Sequence, residues 1–255
     1  MRVIPVIDLK GGLVVHGVAG DRSRYRPVVS VLADDPRPRS IAAAFANALG
    51  ADEVYVADLD AIAGQEPDWA SYEQIAAAGL RLWVDAGIGE AERARQLARE
   101  AATRLPSAGL VVGFESVDDP ARLPSIHAAL PPGGSMFSLD LRNGEPLTRS
   151  PAWRSATPRE IADFAVAAGF HRLLVLDLAS IGIDRGPASA ALCRELRDAY
   201  LQLELLTGGG VRHVGDLRHL AASGCDAVLV ASALHGGRLS AADLAEVEAL
   251  FRSTV

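Results

Sequence analysis

The sequence predicts a single (β/α)8 barrel, and three observations carry that expectation. Short apolar runs, several of them ending in Asp, alternate with helical stretches that stop at Gly. The alternation recurs eight times in 255 residues, a length that suits one such barrel. The chain also realigns with itself: Asp8 matches Asp140, Asp58 matches Asp177, and the region of Asp85 matches Gly208. Each offset is near half the chain. That repeat predicts two half-barrels, at about 1–130 and 134–255, joined at Pro131-Pro132-Gly133-Gly134. A doubly wound sheet would not realign in this way.

The elements follow in order. Residues 2–8 form the first strand, which ends in Asp8 and is released by Gly11-Gly12. Gly11 to Pro27 is a long basic loop carrying His16, Arg22, Arg24, Tyr25 and Arg26. In a compact domain such a loop is expected either to close over a substrate or to be a solvated hairpin from Leu13 to Val18. A helix over Ser40–Leu49 closes at Gly50. Val54–Asp58 is the second strand, and Trp69–Ala78 its helix. The third strand, Leu82–Asp85, runs into Ala86-Gly87-Ile88-Gly89, and a helix spans Glu90–Leu105. Leu110–Val112 is the fourth strand, and Asp119–Leu130 completes the first half. In the second half, Met136–Asp140 is strand five. Thr157-Pro158-Arg159-Glu160 starts a helix with a cap, a fixed first φ and a capping-box Glu. Arg172–Asp177, Leu203–Leu206 and Val228–Val230 are strands six to eight. Their helices lie at Ala188–Tyr200, at Val214–Ala222 and after Ser240.

Bulk properties narrow the partners. Hydrophobic residues make up 49% of the chain, dominated by Ala, Val and Leu, which suits helices packed on a parallel sheet. A net charge of -7 with no basic tract argues against nucleic acid or an anionic membrane. No run reaches the length of a membrane span, and the N-terminus does not read as a signal peptide. The two cysteines, Cys193 and Cys225, fit a reducing cytoplasm. A monomer or small homo-oligomer is expected.

In a barrel of this kind the strand C-termini build the active site. Asp8 and Asp140 end strands on opposite walls, where one carboxylate can take a proton while the other gives one. Alternatively they cap a nearby N–H or pair with Lys10 or Arg142. Thr207-Gly208-Gly209-Gly210 and Ala231-Ser232 are adjacent turns whose backbone N–H groups can hold a phosphate. The corresponding places in the first half carry Asp85 and Glu115, which would repel phosphate at close range. A phosphorylated metabolite with an asymmetric end is therefore the expected ligand. Asp58, Asp85, Asp177, His16 and Arg24 are expected to bind its remainder. The histidines show no metal spacing, and neither a metal nor a cofactor is expected.

These segments resemble the histidine-biosynthesis barrel family. The resemblance is carried by Ile4-Pro5-Val6-Ile7-Asp8-Leu9-Lys10-Gly11-Gly12, Val56-Ala57-Asp58-Leu59-Asp60-Ala61, Leu139-Asp140-Leu141-Arg142-Asn143-Gly144, Thr207-Gly208-Gly209-Gly210-Val211-Arg212 and Ala233-Leu234-His235-Gly236-Gly237. It covers nearly the whole chain and is nearest the family's phosphoribosylformimino-aminoimidazole-carboxamide ribotide isomerases. It implies an Amadori rearrangement: Asp140 protonates the ring oxygen of an N-linked ribosyl phosphate, and Asp8 then removes the C2 proton. The chain departs from the pattern at Asp85-Ala86-Gly87, Gly89, Gly113-Phe114, His16 and Ile181-Gly182-Ile183. Those departures resemble a divergent branch linked by distribution to tetrahydromethanopterin or methanofuran metabolism. The leading expectation is thus an isomerase of a sugar-phosphate-derived metabolite. The histidine-pathway isomerase itself, a lyase or condensing enzyme of C1 metabolism, and a non-catalytic phosphate-metabolite binder are the alternatives.

Overall fold

The structure, a computed structural model, describes residues 1–148, 150–182 and 187–252; Ile183, one of the expected departures, lies outside them. Parallel strands β1 (Arg2–Lys10), β2 (Glu53–Asp58), β3 (Arg81–Asp85), β4 (Gly109–Gly113), β5 (Ser135–Arg142), β6 (Arg172–Asp177), β7 (Glu204–Gly208) and β8 (Ala227–Val230) follow one another around a ring. β8 pairs back onto β1, with Arg2 opposite Ala227 and Pro5 opposite Val230. No barrel edge is left unpaired, which is what closure achieves. Helices α1 (Pro38–Leu49), α2 (Trp69–Ala76), α3 (Ala91–Arg104), α4 (Leu123–Ala128), α5 (Pro158–Ala167), α6 (Ala190–Ala199), α7 (Val214–Ala222) and α8 (Ala241–Arg252) follow the strands in turn. The expected (β/α)8 barrel is the fold.

The caps read from sequence work as chemistry predicts. Thr157 Oγ1 accepts the Glu160 N–H at 3.2 Å, and Glu160 Oε2 accepts the Thr157 N–H at 2.8 Å. Ser240 and Asp243 make the same reciprocal pair ahead of α8. Several boundaries move: β1 and β5 run on to Lys10 and Arg142, two residues past Asp8 and Asp140. The stretch Asp119–Leu130 opens with a tight turn at Pro120–Arg122, and only Leu123–Ala128 is α-helical. The first loop holds a hairpin, as one of its two expected forms has it: Leu13–His16 pairs antiparallel with β1, Asp8 opposite Val15, and then with Arg26–Pro27. It is not simply solvated, because Val14, Val15 and Tyr25 are buried. Short helices at Leu59–Ile62 and Ser232–His235 were not foreseen.

Two cores result from the alternation of side chains along a strand. One lies between strands and helices and holds Ile7, Phe45, Val56, Val112, Leu139 and Leu205, among others. The other fills the lumen: Ile4, Tyr55, Trp83, Val111, Met136, Leu174, Leu206, Ala227 and Leu229. Trp83 is its largest side chain, 1% exposed. Arg81 and Arg172 place their guanidinium groups 4.4 and 4.3 Å from its ring, and its indole N–H donates to Glu53 at 2.8 Å. A Cβ on Gly109 would stand 2.2 Å from that ring, so residue 109 must lack a side chain.

The lumen parity decides what reaches the mouth. Two residues beyond the filled layer come Ala57, Asp85, Gly113, Ser138, Leu176 and Gly208. Asp8 and Asp140 share that parity on β1 and β5. Asp58 and Asp177 have the opposite one. Among the described residues no helix is long and apolar enough to cross a membrane, and Cys193 and Cys225 are buried free thiols.

Candidate active site

A cleft of about 1300 Å³ opens at the C-terminal ends of the strands, lined among others by Asp8, Tyr55, Asp85, Glu115 and Asp140. Asp8 and Asp140 stand on β1 and β5, four strands apart in the ring, and so on opposite walls. Asp8 Oδ2 sits 2.8 Å from where a Cβ on Gly17 would be, with Tyr25 Oη and Ile181 Cγ2 at 3.6 and 3.0 Å from the same point. Glycine at 17 is thus what lets the hairpin wrap this carboxylate. Burial lifts the Asp8 carboxyl to about 7 against the pull of Arg22.

Asp140 is 6% exposed. Its Oδ1 accepts the Ser138 hydroxyl at 2.7 Å, and its Oδ2 accepts the Glu115 N–H at 3.4 Å. Burial, then the charges of Glu115 and Asp85, hold its carboxyl well above the usual carboxylate range. The two walls therefore differ in what surrounds each carboxyl: a cation acts on Asp8, like charges on Asp140. Asp85 completes the floor. Its Oδ1 accepts the Gly87 N–H at 3.1 Å, its Oδ2 accepts the Tyr55 hydroxyl at 3.5 Å, and burial lifts it to about 7. Tyr55 stays a phenol, since burial and the carboxylates of Asp85, Asp140, Asp8 and Glu115 all oppose its ionisation.

The hairpin is anchored over this floor. Arg22 forms an ion pair with Glu115 across the mouth, Lys10 Nζ donates to the Arg22 carbonyl at 3.0 Å, and Ala19 N–H donates to Ile181 O at 2.8 Å. A segment at the end of β1 is in this way tied to the ends of β4 and β6.

On the C-terminal side, Gly209, Gly210, Ala231 and Ser232 line the same cleft. Gly209 and Gly210 have φ of +87° and +75°, and a Cβ on Gly209 would stand 2.9 Å from the Asp177 carbonyl oxygen. Gly208 does not line the cleft; it packs below it against Leu229 and Leu176. The other end differs. Gly87 spends its N–H on Asp85, and a Cβ on Gly89 would meet the Ser116 carbonyl oxygen at 2.2 Å. Side chains of Arg93 and Arg122 line the rim there, beside Glu90 and Asp118.

Four residues expected to bind substrate are placed elsewhere. Asp58 accepts the N–H groups of Ala61 and Asp68 at 3.0 and 2.9 Å and the Tyr72 hydroxyl, and it does not line the cleft. Asp177 accepts the N–H groups of Asn143, Gly144 and Ala179 at 3.1, 2.8 and 2.9 Å. Both aspartates hold the loops after β2 and β5–β6 in shape. His16 and Arg24 also lie off the cleft: His16 Nε2 is against Gly182, and Arg24 is beside Asp21. Tyr55 and the Arg22–Glu115 pair were missed as a unit. Counting by twos back from Asp85's neighbour Ala57 would have turned Tyr55 into the lumen; nothing local pairs residues 93 positions apart.

The model of the histidine biosynthesis protein family matches residues 2–240. The chain is 30% identical over 252 residues to an uncharacterized protein of Methanocaldococcus jannaschii, covering 97% of each. It is 31% identical over 244 residues to the 1-(5-phosphoribosyl)-5-((5-phosphoribosylamino)methylideneamino) imidazole-4-carboxamide isomerase of Deinococcus radiodurans, covering 93% of this chain and 95% of that one. Identity to the protein of the same name in Thermus thermophilus is 30% over 243 residues, covering 94% and 96%.

Proposed function

We propose that this chain, which belongs to the histidine biosynthesis protein family, is an isomerase-type enzyme acting on a phosphoribosyl metabolite by acid–base catalysis between Asp8 and Asp140. The supporting observation is the pair of carboxyl groups facing one cleft from opposite walls, both raised by burial, with a cation acting against the rise at Asp8 and like charges adding to it at Asp140. Surroundings of opposite charge favour a base at one carboxyl and an acid at the other. Asp140, protonated, donates to the ribose ring oxygen and opens the ring. Asp8, ionised, removes the C2 proton, and the enol-amine tautomerises to the aminoketose. The proton lost by Asp140 and the proton gained by Asp8 balance over the cycle through solvent.

The N–H groups of Gly209, Gly210 and Ser232 hold a phosphate at the C-terminal end. The comparisons favour the rearrangement named for the relatives over a looser sugar-phosphate isomerisation, since the matches span nearly the whole chain. That substrate carries two phosphoribosyl groups. Its second phosphate would rest on the side chains of Arg93 and Arg122, because the Gly87 N–H is already taken and Gly89 is pressed against Ser116. A second reading draws on Asp85 and Glu115: a substrate with one phosphate and a neutral or amine-bearing far end. Complementation of a histidine auxotroph lacking the isomerase decides between them. Rescue supports the first reading. Failure, with turnover of a singly phosphorylated aminoribosyl substrate in vitro, supports the second, and no turnover of either sinks the isomerase proposal.

A further inference from the structure

Asp140 is flanked on one side by two further carboxyl groups that the acid–base pair does not use. Gly113 separates them. The point where its Cβ would stand is 3.0 Å from Asp85 Oδ2 and 3.6 Å from Asp140 Oδ2, so the two oxygens are no further apart than those distances combined. Glu115 approaches from the same turn, its own N–H donating to Asp140 Oδ2 at 3.4 Å. β3, β4 and β5 are neighbours, with Asp85 opposite Val111 and Gly113 opposite Ser138. Any side chain at 113 would wedge the carboxyl groups apart. Glycine lets them crowd.

We propose that Asp85 and Glu115 are positioning residues for Asp140: their charge, held close by Gly113, keeps Asp140 in the acid form from which it donates. This rests on the isomerase reading for its kinetic consequence, though not for its titration. The groups facing the cluster can be named from each side. Tyr55 donates to Asp85 from β2, Gly87 N–H from the loop after β3, and Ser138 to Asp140 from β5. Arg22, from the hairpin after β1, pairs with Glu115, and Asp8 stands beyond it. All three donors, Tyr55, Gly87 and Ser138, favour ionisation of the carboxyl they touch, as does the Glu115 N–H on Asp140, and Arg22 offsets part of Glu115. Burial and Asp85 work the other way. Asp85 makes no ion pair among the described residues, and Arg22, paired to Glu115, offsets only part of its charge from a distance. After donating, Asp140 is left as a carboxylate beside two others, which drives it to recover its proton for the next turnover.

The test is residue-resolved carboxyl titration by ¹³C NMR on the full chain, comparing wild type with Asp85→Asn, Glu115→Gln and the double variant. A like charge at this separation moves a partner's midpoint by about one to two pH units. Each single variant is expected to lower the Asp140 midpoint by about one unit, and the double variant by more. Circular dichroism and the Asp8 midpoint control for misfolding. Where turnover is measurable, the alkaline limb of kcat moves to lower pH with the Asp140 midpoint. An Asp140 midpoint that stays put in folded Asp85→Asn and Glu115→Gln overturns the proposal. A midpoint that falls while the alkaline limb does not move overturns its catalytic half. A midpoint that falls in the variants while wild type itself shows no isomerase activity upholds the electrostatics and removes the isomerase reading alone.

Discussion

Asp85→Asn should stabilise the fold increasingly as pH rises from about 4 to about 7, where Asp85 is charged in the unfolded chain but keeps its proton in the folded one. Asp85 is 6% exposed and its carboxyl rises from 3.8 to about 7 on folding, chiefly through burial. A carboxyl that is the weaker acid in the folded state favours folding while it keeps its proton. That contribution is complete below the unfolded value near 4 and is lost as pH rises through about 7. Asparagine never ionises, so the variant escapes the loss. Its amide oxygen can still accept the Gly87 N–H, and its NH₂ can donate to the Tyr55 oxygen. At about 1.4 kcal/mol per unit, the two units between about pH 5 and pH 7 make the variant's advantage grow by about 2–3 kcal/mol. Urea unfolding followed by the fluorescence of buried Trp83 and Trp153, at about pH 5 and about pH 8.5, measures the growth directly. A stability difference independent of pH, or one favouring wild type at alkaline pH, would refute the reasoning.

Three further outcomes are expected. Arg22→Ala removes the cation that restrains Asp8, so the acid limb of kcat/KM should move to higher pH, as seen in pH–rate profiles of variant and wild type. Gly209→Ala puts a Cβ on a residue with φ +87° and 2.9 Å from the Asp177 carbonyl oxygen; KM or inorganic phosphate binding should worsen by about tenfold or more, an unchanged value removing the anion cradle. Trp83→Ala empties the lumen below the site and should cost about 3–5 kcal/mol in chemical denaturation.

How much of this was legible depends on what is local. The barrel was readable because strand, helix and glycine stop recur at short range, and Thr157–Glu160 carries its cap within four residues. Asp8, Asp85 and Asp140 were readable because each lies at or within two residues of the end of a strand's apolar run. The same rule misled at Asp58 and Asp177. Strand-end position says that a side chain is near the mouth, but only parity says which way it turns, and these two turn away from the lumen onto loop N–H groups. Arg22 and Glu115 meet only after the ring has closed, so no spacing in the sequence announces them. Gly113 reads as a strand terminus until the oxygens beside it are known.

Single-turnover kinetics of Asp8→Asn and Asp140→Asn with a phosphoribosyl substrate, alongside the affinity for that substrate, test the acid–base pair most directly. Loss of the chemical step by about 10²–10⁴-fold in each variant, with binding within a few-fold of wild type, is the expected result. Either variant turning over at the wild-type rate would contradict it.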